Sequence, residues 1–410
     1  LMEWDMKNQG KMVLIGCVLG AVLGVLIWIY LYLVHEMTHL LWVYMPGKIG
    51  FAYYPITLCL LGGVFIGLMQ KNFGRYPKEL EDVMTDYKLN RAVRYDNLYI
   101  VALAAFLPLV FGGSIGPEAG LTGIIMGLCC WIGDHIKSMA KEDRSFREIG
   151  LSATLALIFI NPLFGLISPM EFDGDVEIPR ARKILINLAS VSSAMLAYLS
   201  LRNWLGGGLG IVKFSGLQVG TSEWLALLPI ALFGCAVGYV YFGVSKLIKL
   251  ILKPFAARPV TLAIVGGCLL GITGLLFPQV LFSGEAQLRD LQEQWQGMAL
   301  WMLLFSGFAK FVITEVCFES GWRGGKIFPL IFSGVCLGYA VSLAFPVNPI
   351  FCLCVVTAVL LAMVIRKPLA VSVLLLLCFP FEALIFIVPA ACLGSILPIP
   401  KAIRRHKTAA

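Results

Sequence analysis

Along this chain the apolar residues come in unbroken runs, and the polar ones gather in the gaps between them. Neither the alternation of a half-buried strand nor the one-sided stripe of a soluble helix recurs, so the pattern is that of helices apolar all round. The first run, 12–34, predicts a helix of about 30 residues reaching Trp42, since ~20 apolar residues already span a bilayer. A short turn around Pro46-Gly47-Lys48 is expected next, then a second span at 54–69. Charged residues crowd 71–94, and two further runs, 98–110 and 121–133, flank a glycine-rich break. Beyond a basic loop (Lys137, Lys141, Arg144, Arg147), two short apolar segments meet at Asn161-Pro162-Leu163, and another span ends near Leu201. The glycine-rich stretch 203–223 reads as an extracellular connection between two halves, 1–205 and 206–410. The second half predicts spans at 224–251, after Pro259 and at 297–318, a second glycine-rich break, and apolar segments at 330–345, 349–364, 368–379 and 382–397. Several are too short for a perpendicular crossing, so tilted and re-entrant helices are expected. The predicted fold class is an all-α polytopic membrane protein forming one integrated transmembrane domain.

Composition sharpens this. The 410 residues are 59% hydrophobic and 14% charged, with a mean hydropathy of +0.87, which excludes a string of soluble domains. The first run is too long for the apolar core of a signal peptide and lacks a cleavage signature, so none is expected. The 12 cysteines are scattered through apolar runs. The close pairs Cys129-Cys130 and Cys352/Cys354 do not have zinc spacing, so packing is their expected role. The net charge of +8 comes from Lys and Arg in short loops and at both ends, as on cytoplasmic flanks. Both termini are therefore expected inside, with a lipid bilayer as the surroundings and no nucleic-acid partner, metal, cofactor or enzymatic activity.

The chemistry concentrates in the breaks. Phe111-Gly112-Gly113-Ser114-Ile115-Gly116-Pro117-Glu118-Ala119-Gly120 cannot be the middle of an ordinary helix, because glycine forfeits backbone entropy and proline lacks the N–H. Irregular backbone at membrane depth is tolerated only where protein buries it or where it lines a wet cavity. This break carries Glu118, and an intramembrane carboxyl is a functional candidate by default. Ser320-Gly321-Trp322-Arg323-Gly324-Gly325-Lys326-Ile327-Phe328-Pro329 is its echo, and each break is followed by a Pro-Leu site, at Pro162-Leu163 and Pro368-Leu369. Paired breaks in two halves point to a transporter site at their interface near the midplane. Helix ends at Gly116–Ala119 and Gly324–Phe328 would offer free N–H groups and partial positive charge to an anion.

At these residues the chain resembles the CLC family of chloride channels and proton-coupled anion antiporters. Gly112 to Glu118 is similar to that family's Gly-Arg-Glu-Gly-Pro stretch, with Glu118 on its gating glutamate. Ser320 to Pro329 is similar to its Gly-Gly-x-Phe-x-Pro stretch, with Lys326 where an apolar residue is usual. Ser283-Gly284-Glu285-Ala286 resembles its Ser-Gly-Gly-Gly stretch. Asn161-Pro162-Leu163-Phe164-Gly165 and Arg366-Lys367-Pro368-Leu369 resemble its paired Ala-Pro-Leu sites. The resemblance implies an inverted repeat of broken helices, a homodimer with one pathway per subunit, and exchange of a halide for protons. Three departures stand out: no serine near Gly74-Arg75-Tyr76-Pro77, Leu384 where a pore tyrosine is expected, and Glu319 beside the second break. These resemble the fluoride/proton branch and favour fluoride over chloride.

The resemblance also implies residue roles. Glu118 is expected to gate and transfer protons, with Glu319 and Glu171 as further proton carriers. Gly116, Pro117, Ala119, Ser320, Gly324, Gly325, Lys326, Ile327 and Phe328 are expected to form the anion site. Phe328 and Phe332 either line the anion path with positive ring edges or pack the core, Thr314 is polar beside the same break, and Arg323 and Lys326 either attract anions or anchor the loop at the interface. Subunit contacts are expected on the apolar faces of 183–201 and 349–397. A passive anion channel of the same fold is the alternative. A more distant one rests on His35-Glu36-Met37-Thr38-His39, which matches the H-E-x-x-H pattern of a zinc metalloprotease.

Overall fold

The computed structural model describes residues 6–78, 97–135, 181–208, 210 and 212–398. Helix α1 (Met6–His39) passes through a π-helical turn, Leu40–Tyr44, into the short α2 (Met45–Ile49). The turn expected at Pro46 is therefore helical: the π-helical turn just before it absorbs the hydrogen bond that a proline cannot donate. The reversal comes instead at Gly50, whose φ of 62° ends α2. α3 (Tyr54–Phe73) runs back, tied at the corner by the Tyr54 hydroxyl donating to the Leu41 carbonyl at 2.8 Å. α4 (Leu98–Val110) and α5 (Glu118–His135) flank the first break, followed by α6 (Ala181–Leu205) and α7 (Thr221–Leu252). α8 (Pro259–Leu276) and the short α9 (Glu285–Gln294), which the apolar pattern did not separate out, lead to the second break. That break lies between α10 (Leu300–Glu319) and α11 (Ile327–Ala344), and α12 (Pro349–Ile365), α13 (Pro368–Leu375) and α14 (Leu384–Ile396) follow. Six of the described helical stretches are long and apolar enough to cross a membrane.

Small residues decide how the long helices pair. α3 and α8 lie side by side, as do α1 and α6. A Cβ on Gly63 would stand 2.7 Å from the Ala263 carbonyl oxygen, and one on Gly67 would stand 2.6 Å from the Val260 Cα. From the other side, Gly271 abuts the Ile56 backbone and Gly267 the Cys59 carbonyl. Both helices thus present glycines four residues apart, which lets two backbones touch where lipid supplies no hydrophobic drive for association. Gly20 and Gly24 of α1 abut the backbone of Ser190 and Ala194 on α6 in the same way.

The core centres on α11 and α12, buried along nearly their whole lengths, with α7 and α14 packed against α12. Because α12 is enclosed, it is not available as the subunit contact expected over 349–397. Outward apolar residues remain on α6 (Leu185, Leu188, Leu196) and α14 (Ile385, Val388, Ile396). Gly67→Leu is expected to wedge α3 from α8 and destabilise the protein by about 1–3 kcal/mol. The check is thermal unfolding in detergent, and an unchanged midpoint would show that the glycine face is not what joins the pair.

Candidate functional site where two broken helices meet

Both breaks begin with the same helix cap. α4 ends where Gly112 turns left-handed (φ 85°) and the Gly113 amide donates back to the Pro108 carbonyl at 2.8 Å. α10 ends where Gly321 turns left-handed (φ 95°) and the Trp322 amide donates to the Cys317 carbonyl at 2.8 Å. Each bond spans five residues, the signature of a Schellman cap. The two chains then join: Gly116 and Gly325 exchange both backbone hydrogen bonds, each 2.7 Å long, in an antiparallel bridge. Gly112 and Gly321, Gly116 and Gly325, and Glu118 and Ile327 share one separation of 209 residues. The two breaks therefore echo each other glycine to glycine across the site.

Glu118 opens α5, is 1% exposed, and reaches across to α11, where its Oε1 accepts from the Ile327 amide at 2.8 Å. Its Oε2 has no hydrogen-bond partner. A Cβ on either Gly116 or Gly325 would overlap this carboxylate, so only glycine leaves it room at both positions. Gly324 packs on Ile115 and the Gly116 carbonyl, and Pro117, Ala119 and Phe328 are buried alongside. The Ser114 and Thr314 hydroxyls, 3.1 Å apart, tie the first break to α10.

Other expected site residues go elsewhere. The Ser320 hydroxyl donates to the Cys317 carbonyl and faces Gly266 of α8. Glu319 is half-buried in a small cleft with Gln70, Arg75 and Arg323, at the end of α3 remote from Leu41. Lys326 does not reach toward Glu118: its ammonium pairs with Glu315 at 2.8 Å and lies 3.8 Å above the Phe318 ring. Phe386, near the expected pore tyrosine, packs on Trp224 and Phe351. Glu171 and the Asn161-Pro162-Leu163 site lie outside the described residues. His35 and His39 line a cavity of about 570 Å³ at the far end of α1, whereas Glu36 is exposed and does not line it. Among the described residues, no three His, Cys, Asp or Glu side chains gather closely enough to hold a metal.

Three buried charges escaped the sequence reading. Glu315 is fully buried, accepting from Tyr241 at 2.5 Å, Ser245 at 2.8 Å and Lys326. Lys310 is also fully buried and donates to three carbonyls, those of Val280, Leu281 and Phe282, at 2.7–3.0 Å. That grip holds the loop whose Phe282 amide in turn donates to the Gly112 carbonyl at 3.1 Å. Glu285, at the head of α9, is 7% exposed. Lys310 and Glu315 sit inside the apolar run 297–318, and an ionisable residue in such a run was the signal that could have found them.

Comparison with known proteins agrees with this geometry. The family model described as voltage gated chloride channel matches residues 62–398.

The chain belongs to this family, the CLC family.

YfeO of Escherichia coli (strain SMS-3-5 / SECEC), provisionally named an ion-transport protein, is 25% identical over 321 residues, covering 76% of this chain and 74% of its own. YfeO of Shigella flexneri matches to the same extent. Among solved structures, a CLC-type fluoride/proton antiporter superposes with a TM-score of 0.77 at 18% identity, over 96% of this chain and 97% of its own. A slow cyanobacterial chloride/proton antiporter gives the same score and identity over 94% and 93%. At that identity the likeness establishes the fold: the chain is a multi-pass membrane protein with the CLC architecture.

The Lys326–Glu315 pair joins the residue before Ile327 to α10. Removing one partner of a buried pair costs about 3–5 kcal/mol, whereas replacing both with apolar groups is often neutral. Lys326→Ala is therefore expected to lower the unfolding midpoint sharply, with Lys326→Met/Glu315→Leu recovering only part of it, since the Tyr241 and Ser245 hydroxyls lose their acceptor. A single variant as stable as the parent would show that the pair does not hold this end of α11.

Proposed function

We propose that this CLC protein exchanges a halide, fluoride in preference to chloride, for protons across the membrane, with Glu118 as its gate and proton carrier. The observation that carries this reading is the Glu118 carboxylate seated on the Ile327 amide at the start of α11. A helix N-terminus bears roughly half a positive charge and free N–H groups, the environment a dehydrated anion needs. A carboxylate in that seat stands in for a halide. Once protonated it is a weaker acceptor there, leaves, and frees the amide for the ion. When the ion departs, the deprotonated side chain returns. Because one seat serves both occupants, anion and proton movements alternate.

The glycines at 116, 324 and 325 let the ion approach the backbone, and Pro117, Ala119, Ile327 and Phe328 complete its walls. Lys326 acts from behind, through Glu315, by positioning the first turn of α11. Glu319, with Ser320 behind it, lies toward the end of α3 and α10 where Arg75 and Arg323 collect, and such a basic end is the cytoplasmic one. Protons reach Glu118 on that side through Glu319, with Glu171 as a second carrier. Residues 1–205 and 206–410 act as the inverted halves, two subunits associate through outward apolar faces, and both termini lie in the cytoplasm. Fluoride is favoured because residues 74–77 carry no serine hydroxyl and position 384 no tyrosine hydroxyl for a larger halide. The two antiporters of the same fold support exchange over passive conduction.

In liposomes with a halide gradient, Glu118→Gln is expected to abolish proton movement and to slow or uncouple halide flux. Proton-coupled exchange of parental size in that variant would falsify the gating role, and halide flux without protons in the parent marks a channel instead. In the same vesicles fluoride should leave at least about tenfold faster than chloride, a barrier difference of about 1.4 kcal/mol. Equal rates, or faster chloride, would remove fluoride as the preferred ion.

A further inference from the structure

The cavity that His35 and His39 line descends to a second carboxyl that the cycle above leaves unused. Its floor is formed by Pro117, immediately before Glu118, together with Ser283 and Glu285. Glu285 is 7% exposed, yet its Oε1 has no hydrogen-bond partner. Ser283 lines the same floor, and Pro117 brings the start of α5, which Glu118 opens, against it. The arrangement is unusual for a glutamate in a first helical turn, which ordinarily spends its oxygens on the free amides beneath it. A carboxyl shielded from water and left without a donor resists carrying a charge, so it is suited to take up and give back a proton.

We infer that Glu285 is a proton relay between the water of this cavity and Glu118, an inference that rests on the proton-coupled reading of the site. The step is a plain proton transfer. The O–H bond of protonated Glu285 breaks as one forms on the Glu118 carboxylate, and the negative charge passes to Glu285. Water in the cavity then reprotonates Glu285. The division of labour is geometric. Glu118 must leave its seat each time an anion passes, whereas Glu285 stays at the cavity floor. His35, His39, Arg289 and Asp290 also face this cavity and set the charge that an arriving proton meets.

The test is proton and halide flux in liposomes as a function of pH on the cavity side, with halide binding measured by calorimetry on the detergent-solubilised protein. Glu285→Gln is expected to cut proton flux by about a hundredfold, the scale on which a positioned proton donor acts. It should also flatten the dependence on cavity-side pH and leave halide binding intact, with Glu285→Asp restoring both the flux and the pH profile. Parental proton flux and pH profile in Glu285→Gln would overturn the relay. Loss of halide binding in that variant would overturn it too, since Glu285 would then be a structural group, as would an Asp variant no better than Gln. If the parent itself moves halide without protons, the exchange reading falls and takes the relay with it. A coupled parent indifferent to Glu285→Gln removes the relay alone.

Discussion

One carboxylate oxygen on one backbone amide, Glu118 on Ile327, is the contact around which the rest of the molecule is arranged. A free N–H buried away from water costs as much as a lost hydrogen bond, so the open end of a helix inside a membrane has to be given an acceptor. Here the acceptor comes from the other half of the chain, and the Gly116–Gly325 bridge holds the two halves at the distance that lets it reach. Both glycines stand so close to the carboxylate that any Cβ would evict it. Backbone entropy given up at those positions is what leaves the carboxylate room at the head of α11.

Keeping irregular backbone in place without water takes donors from elsewhere, and most of the buried charges serve that end. Lys310 spends its three N–H groups on the carbonyls of 280–282, whose loop holds the Gly112 carbonyl. The Trp42 indole donates to Val110 and the Trp322 indole to Ala263, one clamp for each break. Glu315 collects Tyr241, Ser245 and Lys326, so the cation expected to attract anions is neutralised and put to use fixing the first turn of α11. An intramembrane charge is therefore not automatically a point on the ion's path. What separates the classes here is whether its polar atoms are used up: those of Lys310 and Glu315 are, whereas Glu118 and Glu285 each keep an oxygen without a partner.

The run lengths and the glycine punctuation were enough to read the membrane fold and both breaks. Those features are local: a helix apolar all round, a glycine that ends it, a proline that cannot continue it. The sequence also held Lys310 and Glu315 in plain view within an apolar run, but nothing local says whether such a charge faces an ion, a carbonyl or another charge. Only the tertiary structure decided that Lys326 pairs with Glu315, that Ser320 turns to Gly266, that α12 is enclosed, and that Glu285 comes to the floor of the cavity beside Pro117. It also set how the two breaks correspond, through the matching caps at Gly112 and Gly321 and the bridge between Gly116 and Gly325. Element boundaries follow from what each residue does to its own backbone; partners follow from which distant segments the packed helices bring within a few ångströms, and spacing along the chain carries no record of that.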